Sequence, residues 1–239
     1  MNWKEIYLDE INNTFSFGKE KLFQDRTFLD TLKFHAPGLA PVRDESGWYH
    51  IDVNGAAIYR ERYLRAFGFY NKRASVVTEN GSIPINTNGE KIGNILYDWC
   101  GNFQESVCTV RNKNGQYFHI NLEGNLCYPP TQHYSYAGDF KGDYACVMNE
   151  YQQFTHINKQ DNFLHGKWFN DLGVFHKKFA TARDKDGWFH IDFSGKELYT
   201  HRFATIEPFY NGRAFVEDFS RRKVIVLEDG ELDFLRLRE

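Results

Sequence analysis

Four histidines hold the most suggestive spacing in this chain. His50, His119, His156 and His190 each stand directly before an isoleucine, and the residue after that isoleucine is Asp52, Asn121, Asn158 or Asp192. Imidazole near carboxylate is the equipment of general acid–base catalysis and of metal ligation. The fullest copies are "DESGWYHIDVNGAAIY" from Asp44 and "DKDGWFHIDFSGKELY" from Asp184. Either an active site occurs twice, or one structural unit is copied along the chain.

Strand geometry favours the second reading. In "WFHID", Phe189 and Ile191 share one face, while Trp188, His190 and Asp192 share the other. Equivalent positions of stacked sheets lie about 10 Å apart, whereas zinc ligands all sit about 2 Å from one metal. Such a ladder closes a coordination sphere only where it converges on a ring centre. Pro84 and Ile225 occupy the histidine position in two further copies, and Asn86, Asn121 and Asn158 replace the aspartate in three. Asparagine does not titrate. The preferred roles are therefore structural. Each imidazole packs beside Trp or Tyr with a ring nitrogen bonded to a neighbouring unit. Each Asp or Asn nucleates a turn by accepting local amides. We assign no catalytic residue, no metal site and no cofactor. The sequence also lacks a dinucleotide glycine fingerprint, a phosphate loop, His-Glu-x-x-His and Gly-x-Ser-x-Gly.

The copies recur with one period. Val42, Val76, Val110, Val147, Ala182 and Val216 stand 34, 34, 37, 35 and 34 residues apart. Ile51, Ile85, Ile120, Ile157, Ile191 and Val226 keep nearly the same steps, as do Phe69, Phe103, Phe140, Phe175 and Phe209, with Phe34 one register early. Within a unit such as "RASVVTENGSIPINTNGEKIG" from Arg73, alternating runs are separated by Asn80-Gly81 and Asn88-Gly89. These dipeptides predict hairpin turns with positive φ. A unit is thus a three-stranded antiparallel meander. The segment after it ("YLRAFGF" from Tyr63) forms a short further strand. About 35 residues cannot bury their own apolar face, so the units must stack.

The expected fold is all-β: six tandem meanders over residues 34–239 in a propeller-like ring, with an open hairpin solenoid as the alternative. Residues 1–33 read as a helical N-terminal cap. Trp3, Ile6, Tyr7 and Ile11 fall at helical spacing, and Asp25 could cap a second helix bearing Phe28, Leu29 and Leu32. The chain closes on "LDFLRLRE", a strand-like segment.

Composition narrows the function. A formal charge of −3 supplies no basic face of the kind phosphate backbones require, so nucleic acid is not an expected partner. No apolar run is long enough for a membrane helix, and the acidic, amphipathic N-terminus lacks a signal-peptide core. A cytoplasmic location is expected. Cys100, Cys108, Cys127 and Cys146 show no Cys-x-x-Cys spacing and read as reduced thiols.

Recognition should fall where the repeat breaks. "NLCYPPTQHYSYAGDF" from Asn125 belongs to the longest step and carries Tyr128, His133, Tyr134 and Tyr136. "FLHGKWFNDLGVFHKKF" from Phe163 carries His165, Lys167, Trp168 and His176. These eight residues are the candidate ligand- or partner-binding set, since Tyr and Trp give contact area at low entropic cost. A second possibility is a lectin-like protein stacking small molecules or glycans on Trp48, Tyr117, Phe154 and Trp188. A third is an enzyme using the histidine face.

The unit pattern resembles the bacterial WG repeat, written around Trp-Gly-x-Ile-Asp and a turn glycine. Trp48, Ile51, Asp52 and Gly55 match it, as do Trp188, Ile191, Asp192 and Gly195. The likeness extends over about residues 34–230. Tyr49 or Phe189 replaces the glycine after Trp, giving a His-Ile-Asp variant. The resemblance implies β-rich units without catalytic residues of their own. It points to a binding or scaffold array for a protein or peptide, such as the substrate-holding accessory of a larger or partner enzyme.

Overall fold

The computed structural model describes residues 1–129 and 131–234. Pro130, in the Tyr/His loop, and residues 235–239, in the strand-like terminal segment, lie outside them. Among the described residues the chain forms one turn of 3-10 helix at Trp3–Glu5 and seven small antiparallel sheets in chain order. None of these residues forms a helix long and apolar enough to cross a membrane.

Two compact units divide the chain, Met1–His133 and Tyr134–Glu239. The first opens with an N-terminal sheet of Ile6–Asp9, Thr14–Phe17 and Glu20–Lys21. Three regular sheets follow: Asp30–Thr31 with Ala40–Asp44 and Gly47–Ile51; Arg65–Ala66 with Arg73–Thr78 and Gly81–Asn86; Trp99–Gln104 with Val107–Arg111 and Tyr117–Asn121. The second unit contains Tyr136–Ala137 with Ala145–Met148 and Phe154–Ile157, then Asp171–Leu172 with Ala180–Asp184 and Gly187–Ile191. Its last sheet has four strands, Thr205–Ile206, Arg213–Glu217, Lys223–Leu227 and Leu232–Phe234.

The sequence period is written into the core. The valine series and Ala182 occupy the middle strands, the isoleucine series and Val226 the third strands, and all of them are buried. Strand alternation turns these residues inward together, as in the pairs Ala40 with Ile51 and Val42 with Tyr49. Phe34 and the later phenylalanines of its series are buried as well. The turn after His35 is one residue longer than the turn after Tyr70, since His35 bridges Leu39 whereas Tyr70 bridges Arg73. That extra residue explains the early register of Phe34.

The segments after Gly47–Ile51, Gly81–Asn86, Phe154–Ile157 and Gly187–Ile191 each close one sheet and open the next. Ala57 bridges back to Ile51 and Tyr63 to Trp48, after which Arg65–Ala66 becomes the first strand of the following sheet.

Beyond the 3-10 turn at Trp3–Glu5, the N-terminal segment is a hairpin sheet and not a helical cap. Ile6 and Leu8 alternate inward opposite Phe17 and Phe15, while Tyr7 and Ile11, half of the supposed helical face, are exposed. Asp9 Oδ1 accepts the amides of Ile11 and Asn12, and Asn13 adopts φ 52°, so a hairpin forms where a helix would have continued. Asp25 caps no helix. Phe28 is buried, Leu29 is exposed, and Asp30–Thr31 is already the first strand of a regular sheet.

The turns also differ from expectation at one place. Thr78 pairs with Gly81, so Glu79 and Asn80 form the hairpin tip and Gly81 begins a strand. The two-residue turns with positive φ lie instead between first and second strands, at Asn71-Lys72, Glu105-Ser106, Gly142-Asp143 and Asn211-Gly212. The glycine of the Gly-Trp pair answers a different demand. At Gly187, φ is +139°, and a Cβ would lie 2.8 Å from the Phe203 carbonyl oxygen that pairs with Trp188.

The glycine of the turn after the third strand is set by its neighbour. A Cβ on Gly89 (φ +83°) would lie 2.3 Å from the Tyr59 ring of the preceding sheet. Gly55 meets Phe23, Gly195 meets His165 and Gly230 meets Tyr199 in the same way. The N-terminal sheet therefore supports the first regular sheet through Phe23 as Tyr59 supports the second. Gly115 has a similar φ of +80° but nothing within 4 Å of its Cβ position. Gly115→Ala should cost about 1 kcal/mol for backbone strain. Gly89→Ala should cost about 1–3 kcal/mol more by displacing Tyr59. Urea denaturation of the two variants measures the difference.

Candidate functional site

The histidine positions form a buried relay between sheets. His50 Nε2 lies 2.8 Å from the Phe67 carbonyl oxygen and its Nδ1 lies 2.5 Å from the Tyr59 hydroxyl. His190 repeats this with the Glu207 carbonyl at 2.9 Å and Tyr199 at 2.5 Å. His119 Nδ1 meets the Tyr128 hydroxyl at 2.9 Å. A carbonyl only accepts, so Nε2 of His50 and His190 carries the proton and Nδ1 receives the tyrosine O–H. The ring face is used too. Phe69 lies 4.6 Å from His50, Phe175 4.5 Å from His156 and Phe209 4.0 Å from His190, centroid to centroid.

The interrupted copy shows what the relay is for. Pro84 cannot donate, and the carbonyl seventeen residues on is that of Gly101. Ser75, paired directly across from Pro84, donates its hydroxyl to this carbonyl at 2.6 Å. The interface carbonyl is satisfied by another side chain when the histidine is lost, as a buried acceptor requires.

Burial, the largest cause in each case, pushes His50, His156 and His190 down to about 4. They are neutral at pH 7 with both ring nitrogens engaged. Asp52, Asn121, Asn158 and Asp192 each accept the amides two and four residues on, at 2.8–3.1 Å. Each holds a turn. Burial pushes the Cys100 and Cys146 thiols up to about 12, which suppresses thiolate chemistry.

The eight candidate binding residues separate by environment. Tyr128 is buried with its hydroxyl on His119, and Tyr134 is buried with its hydroxyl on Asp161. Both are scaffold residues. Asp161 stands where other turns have glycine, at φ 63°. His133 is exposed near Phe118 in the first unit. In the second unit Tyr136 is exposed and packs edge-on to Phe154. His165 contacts His156, and Lys167 reaches the Gly195 carbonyl at 2.8 Å. Trp168 packs edge-on to exposed Phe163, centroids 5.5 Å apart. His176 stacks on exposed Tyr210.

The lectin-like positions are partly covered by their own chain. Trp48 is buried beneath the Arg65 guanidinium at 4.1 Å. Arg111 approaches Tyr117 and Arg183 approaches Trp188, 5.8 Å and 5.9 Å from the ring centroids.

One open cleft escaped the sequence reading. It measures about 620 Å³ in the first unit and is lined by Thr31, Lys33, His35, Phe67, Tyr70 and Asn102, among others. His35 lies 4.8 Å from the Tyr70 ring and so close over Gly68 that a Cβ there would meet it at 2.6 Å. The only sequence signal was the histidine beside Phe34 in an irregular turn.

Residues 85–117 and 188–218 match the family model of the WG containing repeat. In these two segments the chain is similar to that repeat family. Each matched segment begins in the third strand of one sheet and runs through the first two strands of the next. No curated protein matches the chain. Among solved structures, BamB from Moraxella catarrhalis aligns over 82% of this chain and 69% of its own, with 12% identity and a TM-score of 0.46. Hsv2 from Kluyvelomyces marxianus aligns over 93% and 91%, with 9% identity and a TM-score of 0.48.

The relay ties the stability of this fold to pH. An imidazole that is neutral in the fold but protonates near 6.5 when unfolded leaves stability intact above pH 6.5 and withdraws it as pH falls toward 4. The loss should reach the order of 3 kcal/mol per histidine. Thermal melts from pH 7 to 4 should show a falling Tm, and His190→Gln should flatten that slope. Tyr199→Phe, which strips the donor from a buried acceptor, should cost about 1–3 kcal/mol at pH 7.

Proposed function

We propose that this chain is a non-catalytic binding or scaffold array that holds a protein or peptide. The observation that carries the reading is the Phe163–Trp168 pair. Its rings meet edge-on at 5.5 Å on an irregular segment, with Phe163 and Lys167 exposed. Aromatic side chains beside a cation offer apolar area, stacking and charge at little entropic cost. Exposed Tyr136 and Tyr151 extend the aromatic character of the second unit.

The repeated histidines support the same reading from the other side. Those of His50, His156 and His190 spend both nitrogens on internal bonds, so their face offers no free base. A glycan-stacking function has less support, since Arg65 already lies over Trp48. A ring-like closure of the sheets, a cytoplasmic setting, and service as the substrate-holding part of a larger or partner enzyme belong to this proposal. Small-angle scattering separates a ring from an open stack.

Peptide display on the immobilised chain should select ligands whose binding falls at least about tenfold in Trp168→Ala and Lys167→Ala. The Tm of Trp168→Ala should stay close to that of the unmodified chain. Unchanged affinity in both variants would remove this surface from the proposal. Tyr134→Ala, by contrast, should lower Tm, because its hydroxyl and ring are buried against Asp161.

A further inference from the structure

The fourth regular sheet breaks the tyrosine pattern of the relay. Where His50 and His190 receive a hydroxyl from the residue nine positions on, His156 receives His165, with Nδ1 and Nε2 3.1 Å apart. The Lys167 amide donates to His165 Nδ1 at 3.2 Å, so neutral His165 carries its proton on Nε2 and donates to His156. His156 Nε2 in turn faces the Gly173 carbonyl at 2.9 Å. The donors thus run one way, from Lys167 N–H through His165 and His156 to Gly173. Every ring nitrogen is committed and none can take another proton in place.

The tyrosine relays differ in one respect. A hydroxyl can rotate from donor to acceptor when the imidazole beside it gains a proton. His165 has no such freedom. A proton on its Nδ1 points at the Lys167 amide, and a proton on His156 Nδ1 points at the His165 N–H. Donor then opposes donor in either case.

We propose that the His165–His156 pair is a proton-operated latch: His165, half-buried, takes a proton from solvent, turns out of the relay and releases the 163–168 segment from the 192–195 turn. The geometry supplies the coupling. The His165 ring lies under Gly195, whose Cβ position is 2.9 Å from its Cγ, and Lys167 Nζ holds the Gly195 carbonyl. Withdrawal of His165 removes the support of that turn while the Tyr199 relay on the next sheet remains closed.

Several charged and titratable groups face the latch. On its own segment the Lys167 ammonium opposes the imidazolium, while Asp192 on the adjoining turn favours it. Cys146, across the strand pair from His156, donates to the Leu172 carbonyl, and burial holds its thiol protonated. Phe169 and Phe175 contribute uncharged rings against His165 and His156. Burial first, then Lys167, keeps His165 below its ordinary value, so the latch opens in the acid range and is closed at pH 7.

Hydrogen exchange followed by mass spectrometry on the full chain tests this. After correction for intrinsic rates, lowering the pH from 7 to 5 should speed exchange about tenfold at residues 163–169 and 192–196. Residues 199–207 should change far less. His165→Tyr, which installs the hydroxyl of the other sheets, should abolish the selective response. Equal acceleration in both proteins, or parallel opening of residues 199–207, overturns the latch. Ring-nitrogen chemical shifts of the unmodified chain give a second check that needs no variant. His165 protonated on Nε2 at pH 7 is expected, and protonation on Nδ1 overturns the proposal.

Discussion

A backbone carbonyl caught between two sheets must find a donor, and much of this chain is arranged around that need. Four following sheets present such a carbonyl to the sheet before them, in or just after the first strand: Phe67, Gly101, Gly173 and Glu207. Leaving a buried acceptor unpaired costs more than a made bond returns. Histidine suits the position because it reaches across the gap, donates from one nitrogen and accepts at the other. The second nitrogen then needs a donor of its own, which fixes Tyr59, Tyr128 or Tyr199 nine residues on. The tyrosine ring in turn lies where a turn glycine of the next sheet must be bare, as Gly89 and Gly230 show. One unsatisfied oxygen thus sets the identity of a histidine, a tyrosine and a glycine.

Much of the fold was legible because period-two burial leaves a plain trace. Valine, isoleucine and phenylalanine recur at fixed steps, and each falls inside. The Asp/Asn turns were legible for a similar reason, since their bonds are local and need no tertiary knowledge. The N-terminus misled because Trp3, Ile6, Tyr7 and Ile11 satisfy a helical spacing by coincidence, while Ile6, Leu8, Phe15 and Phe17 satisfy a strand alternation that only pairing reveals. Asn80-Gly81 misled because its glycine serves a carbonyl approach one residue away from the turn tip.

The candidate site was legible only in part. Tyr128 and Tyr134 stand in an irregular stretch, and irregularity was the criterion that singled them out. Their burial comes from partners at a distance in sequence, His119 and Asp161, which no local pattern discloses. Phe163, Lys167 and Trp168 show the opposite case: a break in the repeat that does reach the surface. The His165 substitution was visible as a histidine but not as a replaced tyrosine. Its meaning depends on the relay, which only the three-dimensional arrangement supplies.

The offset between sequence repeat and sheet has a consequence for how such a chain can change length. Each matched segment, 85–117 and 188–218, supplies the end of one sheet and the beginning of the next. Duplication or deletion of one full period, from one isoleucine of the series to the next, therefore cuts every affected sheet at the same joint and heals it at the same joint. The old sheet receives an equivalent third strand, and the new sheet receives equivalent first and second strands. No strand edge is left bare, and no carbonyl between sheets loses its histidine or serine. Growth and loss by whole periods are neutral to pairing, whereas a slip of even one residue would turn the buried faces outward.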